Sequence, residues 1–266
     1  MGPATSTAKS SRPGLVRRCA AGAWHVGAGF GFVVRHPRLW PLAALPVVLA
    51  FVLMTVGATA AIYAGPRVAS TFAPAPGDAP VWIEIPIGLL LWTATVGFGI
   101  FLGLGIALLL TAPLLDLLSR RVEALTRGRV GDAGRGLRWE MLESLRGALY
   151  FLAAAPGVLL LGLIPLLGPA LSALWGARAV AFQMTDSALT RRGFNFASKR
   201  RWHRQWRFET EGFGLAGMVV LFVPFANFLL GPALVTGGTL LVLELERLEA
   251  RPSEQAGPDA AGALTG

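Results

Sequence analysis

Long uncharged runs, broken by proline and glycine, set the pattern of this chain. Residues 147–177 carry no charged side chain, and the run is interrupted near its centre by Ile164, Pro165, Leu166, Leu167, Gly168 and Pro169. As one helix, those 31 residues would measure about 46 Å, against a hydrocarbon slab of roughly 30 Å. Divided at Pro165, they give two helices of roughly 13 to 16 residues, each short for a full crossing. Basic clusters flank the run on both sides, and cationic loops stay on the cytoplasmic face. The pattern therefore predicts a hairpin that enters and leaves by the same side. A second run of this design covers residues 212–243, with Pro224, Gly231 and Pro232 bracketing its break.

Upstream the pattern is different. Residues 39–64 are apolar and uninterrupted by charge, with Trp40 and Tyr63 placed as interface anchors, and residues 85–112 form a second run of spanning length. Between them, residues 63–84 hold Pro66, Pro74, Pro76 and Pro80, which predicts a broken connection. The second run carries Gly97, Gly99, Gly103 and Gly105, read as a surface for close contact with another membrane helix rather than a pore-facing stripe. Residues 15–34 mix Arg17, Arg18, Trp24 and His25 with Val16, Val26, Phe30, Phe32 and Val33, a weakly amphipathic pattern that predicts an interfacial helix, although four glycines weaken it. Residues 113–128 form an amphipathic helix. Leu114, Leu118, Val122 and Leu125 share one face, and Asp116 with Arg120 and Glu123 with Arg127 stand opposite as acid-first i, i+4 pairs.

Composition turns this pattern into a class. Of 266 residues, 54% are apolar and 15% charged, which places the chain among integral membrane proteins. The expected fold is all-α: two long transmembrane helices, two proline-broken half-penetrating hairpins and the interfacial N-terminal helix. A single membrane domain is expected over residues 15–250, between disordered tails at 1–14 and 251–266. The formal charge is +9, and of 24 Lys and Arg only Arg67 falls in the first connection. That distribution predicts both termini on the cytoplasmic side. The densest cationic stretch, residues 184–211, interleaves Arg191, Arg192, Lys199, Arg200, Arg201, Arg204 and Arg207 with aromatic residues and is read as a loop. Anionic lipid headgroups are the expected partner of these basic loops, and nucleic acid is not, since no recognition motif accompanies the charge.

Little in the chain points to catalysis. There is no phosphate-binding glycine loop, HExxH or GxSxG, so an enzyme is not expected. His25 and His36 lie eleven apart, not at the i, i+4 spacing of a helical metal pair, and Cys19 is the one cysteine. Neither a metal nor another cofactor is expected. Asn227 is the strong polar side chain within the hairpin breaks, placed either to cap the following helix or to donate a hydrogen bond to an oxyanion. A helix beginning near Pro169 or Pro232 would aim its N-terminus at the membrane midplane, where free N–H groups and the helix dipole favour an anion.

The order of several short motifs resembles the CysZ sulfate permease family, bacterial relatives of the etoposide-induced autophagy membrane protein. They are Pro37 with Pro46 at the first span, TAPLLDLLSRRVEAL at 111–125, IPLLGPAL at 164–171, QMTD at 183–186, and GFG followed by VPFANFLLGPALVTGGT at 223–239. The resemblance implies a homo-oligomeric permease of the bacterial inner membrane that takes up sulfate or a related oxyanion. It also implies a sulfate-binding Gly-Leu-Arg-like element with adjacent arginines where the chain enters the first span. The matching positions here are Arg38, Leu39, Trp40 and Pro41, so the charge comes from Arg38 and, upstream, Arg35. The substrate-binding candidates are thus Arg35, Arg38 and Asn227. The competing class is a non-transporting scaffold that shapes or tethers membrane, as the eukaryotic relatives imply.

Overall fold

The computed structural model describes residues 14–72, 80–131, 133–162, 164–165, 167–222 and 226–255. Among them every regular element is helical. In chain order these are α1 (Leu15–Arg35), a 3-10 turn (Pro37–Leu39), α2 (Trp40–Phe72), α3 (Val81–Arg127), α4 (Leu137–Gly162), α5 (Leu167–Arg191), α6 (Phe196–Gln205), α7 (Arg207–Leu221) and α8 (Ala226–Gln255). Three segments are long and apolar enough to cross a membrane: Pro37–Phe72, Val81–Ala107 and Arg138–Gly162. The chain divides into two compact units, residues 33–121 in one and the residues on either side of that segment in the other.

Several boundaries differ from those the sequence pattern predicts. The connection after the first span is shorter than residues 63–84, because α2 continues to Phe72 with Pro46 and Pro66 inside it. In lipid a helix is the one local way to satisfy the backbone, and that outweighs the breaking tendency of a proline. The second span and the amphipathic segment form one helix of 47 residues, about 70 Å long. The stretch read as a cationic loop is helical almost throughout: α5 runs to Arg191, α6 follows after a short turn, and α7 begins at Arg207. Likewise α8 continues past residue 250 to Gln255. Expectations for residues 1–13 and 256–266 and for Pro224 fall outside the described residues.

The first break lies where the prolines place it. Helix α4 ends at Gly162, Pro165 sits in the turn, and α5 starts at Leu167. Both arms, at 26 and 25 residues, are longer than 13 to 16, since each helix carries on through the charged residues beyond the uncharged run. In the second hairpin α8 already begins at Ala226, so Gly231 and Pro232 lie within the helix and not at the break.

Packing in both units depends on backbones meeting at glycine. In the unit of residues 33–121, a Cβ on Gly99 would come within 2.4 Å of the Gly57 carbonyl oxygen, and one on Gly103 within 2.3 Å of that of Leu53. Half of the glycine stripe thus forms the α2–α3 contact, while Gly97 and Gly105 face open space. In the other unit α5 is the centre, packed against α4, α6, α7 and α8. There Gly214 of α7 lies against the Ala177 carbonyl of α5, and Gly238 of α8 against that of Met184. The glycines of α1 have the same use: Gly22 abuts the Glu209 backbone and Gly29 those of Ala233 and Gly237. Small residues allow this approach where no hydrophobic force draws helices together in lipid.

Gly214→Ala would put a methyl group 1.9 Å from the Ala177 oxygen. It should lower stability by about 1–3 kcal/mol, read as a lower thermal midpoint in detergent. Gly97→Ala, with nothing within 4 Å, should leave the midpoint level or raise it slightly.

Candidate functional site: ion pairs around the ends of α3, α5 and α8

The residues expected to meet an anion are placed as follows. Arg35 closes α1 and Arg38 lies in the 3-10 turn. Both are exposed, and neither has a carboxylate partner among the described residues. Leu39 between them and α2 is buried, while Trp40 donates its indole N–H to the Val33 carbonyl at 3.1 Å. Asn227 is in the first turn of α8, with a side chain outside the described set. It belongs to the other unit.

The first hairpin turn uses its own donors. Ile164 N–H donates to the Leu161 carbonyl at 3.0 Å, Leu167 N–H to Pro165 at 2.8 Å and Gly168 N–H to Ile164 at 2.8 Å. Pro169 has no N–H to offer. Gly168 is buried, with the Leu161 carbonyl oxygen so near that a Cβ would come within 2.3 Å of it. The Leu167 and Gly168 donors at the start of α5 are therefore already engaged. A cavity of about 150 Å³ lies between α4 and α5, lined by Val158, Leu161, Leu171, Ser172, Leu174, Trp175 and Arg178. Its cation is taken up elsewhere, since Arg178 donates to Glu211 at 2.7 and 3.0 Å.

Charge is concentrated instead where the ends of α3 and α5 meet α8. On α3, Arg120 donates to Asp116 at 2.7 Å, as the i, i+4 spacing expects. The second spacing does not give a pair. Glu123 turns inward, 1% exposed, and accepts from Arg191 at 3.2 Å, from Arg192 at 2.6 Å and from the Gly131 N–H at 3.1 Å. Arg127 reaches α8, donating to Glu246 and to the Leu243 carbonyl at 2.6 Å each. Arg192 also pairs with Glu246, which links the two halves of the network. Glu123 leaves the polar face because two guanidiniums and a backbone N–H offer a buried carboxylate more than Arg127 alone can.

A second cluster seats α6. Gly193, at a φ of 78°, turns the chain after α5, and Asn195 caps α6 by accepting from the Ser198 N–H at 2.9 Å. Lys199 is fully buried and donates to Asp186 at 2.6 Å, and Ser144 donates to the same carboxylate. Buried Glu143 pairs with Arg146 and accepts from the Phe196 N–H at 2.6 Å. His203 stacks on Phe182 and lies 3.2 Å from the Thr185 hydroxyl. Burial drives its imidazole down to about 3, helped by the nearby Lys199 ammonium. On α1, Arg18 forms a two-pronged pair with Glu209 at 2.6 and 2.9 Å.

Sequence reading assigned Arg191, Arg192 and Lys199 to lipid headgroups, and the structure gives them carboxylate partners. One signal for this was present. Asp186 is the one acidic residue between Glu143 and Glu209, a lone carboxylate amid cations. Among the described residues no group of three or more His, Cys, Asp or Glu is arranged to hold a metal.

Helices of crossing length, apolar outside and joined at glycine, define an integral membrane protein of the all-helical class. The family model described as sulfate transporter CysZ/etoposide-induced protein 2.4 matches residues 25–232, and the chain belongs to that family. Among similar curated proteins, two named sulfate transporter CysZ come from strains of Pseudomonas fluorescens. They are 28% and 30% identical over 159 and 162 residues, each match covering 56% of this chain. A third of the same name, from Pseudomonas syringae pv. tomato, is 25% identical over 185 residues, 65% of this chain and 69% of its own length. The first two matches span 64% and 63% of those relatives, a little under two thirds.

Glu123→Gln leaves the buried Arg191 guanidinium, with Arg192 beside it, facing a neutral amide and should cost about 3–5 kcal/mol, measured by thermal or denaturant unfolding in detergent. For His203 the folded imidazole takes its proton near 3 and the unfolded one near 6.5. Between those values the unfolded state holds more protons, so stability falls as pH drops from 6.5 toward 3. His203→Gln should remove that part of the acid sensitivity, up to about 1.4 kcal/mol per pH unit, seen by comparing midpoints from pH 7 to pH 4.

Proposed function

We propose that this chain conducts an inorganic oxyanion of the sulfate type across the bacterial cytoplasmic membrane. The observation that carries the reading is family membership over residues 25–232, with relatives named sulfate transporters. On this reading α2 and the first part of α3 cross the bilayer, and the hairpins α4–α5 and α7–α8 dip into it and return. Copies of the chain assemble around the path, and both termini face the cytoplasm with most of the cations.

Charge depth supports half-penetration. Helix α4 has the length to cross, but the Arg200 guanidinium lies 4.9 Å from the ring centre of Tyr150, midway along it. If exposed Arg200 stays at the headgroups, residues 151–162 remain for the hydrocarbon, about 18 Å where roughly 30 Å is needed. Arg178 and its partner Glu211 mark a similar level on α5 and α7. From there to the helix ends, residues 167–178 and 211–221 span about 15–18 Å.

At the first hairpin, recognition of an anion falls to side chains, because the Leu167 and Gly168 N–H groups are engaged. Arg35 and Arg38, exposed and without carboxylate partners among the described residues, are suited to an electrostatic entrance. The test is uptake of radiolabelled sulfate into proteoliposomes. The full chain should exceed empty vesicles, and Arg35→Ala with Arg38→Ala should lower uptake about tenfold at limiting sulfate, as loss of charge-assisted bonds predicts. Unchanged uptake in the double variant removes the entrance role. No uptake above empty vesicles removes transport and leaves the membrane scaffold as the function.

A further inference from the structure

The basic residues of α6 divide into two sets. One face of the helix is anchored inward by Lys199 on Asp186 and by buried Trp202. The other presents Arg200, Arg201 and Arg204, all exposed, and exposed Arg207 follows at the start of α7. None of the four meets a carboxylate among the described residues; Arg201 donates to the Ser198 hydroxyl at 3.2 Å. The nearby carboxylate Glu249 instead accepts from Gln205 and from the Trp206 indole, at 2.9 Å each. Four guanidiniums at i, i+1, i+4 and i+7 repel one another on a bare surface, and an anion relieves that repulsion.

What lies beside them identifies the anion. Arg200 stacks over Tyr150 and Phe196, and Arg207 over Phe208 at 4.3 Å, so aromatic faces hold these guanidiniums flat. Tyr150 is flanked on α4 by Leu149 and Leu152, 52% and 68% exposed. The surface thus joins phosphate-binding cations to exposed aliphatic side chains on a helix of membrane-crossing length. A free anion would satisfy only the first part. We infer that Arg200, Arg201, Arg204 and Arg207 bind the phosphates of anionic phospholipids, whose acyl chains cover the neighbouring leucines of α4. This holds whether or not the chain carries sulfate.

The full chain in detergent, titrated with phosphatidylglycerol and followed by native mass spectrometry, tests it. Arg200→Gln, Arg201→Gln, Arg204→Gln and Arg207→Gln together should weaken retention at least tenfold, and the four Arg→Lys changes should keep it within about threefold. Arg17→Gln, Arg121→Gln, Arg129→Gln and Arg247→Gln, which remove the same charge elsewhere, should also keep it within about threefold. Retention unchanged in the first variant overturns the inference, and so does an equal loss in the control or in the Lys version. Displacement of the lipid by millimolar inorganic phosphate, or tighter binding of a single-stranded oligonucleotide at these arginines, overturns the choice of lipid.

Discussion

A guanidinium or carboxylate is costly in hydrocarbon unless it reaches water or an opposite charge, and this constraint governs the structure from α1 to α8. Arg18 lies on Glu209, Arg178 on Glu211, Arg191 and Arg192 on Glu123, and Lys199 on Asp186. Each pair joins two different helices or helix ends, so the charges that limit how far the apolar helices can sink also determine which helices sit together. The most buried case is Glu123, which holds two arginines and a loop N–H at once. A partner set of that kind is easily lost when one member is removed, because the remainder stays buried without its counter-charge.

Much of the fold was legible as pattern. The uncharged runs, the break around Pro165 and the spanning lengths follow from side-chain transfer into lipid, which depends on residue type alone. What could not be read depends on which residues meet. The i, i+4 rule finds Asp116 with Arg120 because both lie on one helix, and fails at Glu123 because Arg191 and Arg192 are 68 and 69 residues away. The cationic stretch read as a loop is helical almost throughout, with Arg191, Arg192 and Lys199 partnered by Glu123, Glu246 and Asp186. Glycine gave a mixed signal. Intrinsic propensity counts Gly22 and Gly29 against α1, yet these residues are where α1 touches α7 and α8.

The candidate site was legible in part. Arg35 and Arg38 stand out in sequence as cations at the start of an apolar span, and in the structure they are exposed without carboxylate partners among the described residues. The helix-end donors were harder to judge. A proline near the start of a helix announces an N-terminus, but not whether the turn before it folds back onto those N–H groups. In the first hairpin it does, through Ile164 and Pro165.

Nine of the arginines fall into three roles that composition cannot separate. Arg191, Arg192 and Arg127 are bound to carboxylates and act as ties between helices; any anion approaching them would compete with Glu123 and Glu246 at contact distance. Arg200, Arg201, Arg204 and Arg207 lie on an open surface, which suits many similar headgroups in a plane better than one small ion. Arg35 and Arg38 are left as exposed cations at the start of a spanning segment. Recognition of a tetrahedral dianion needs several donors converging from different directions, and two guanidiniums on a short turn supply part of such a shell.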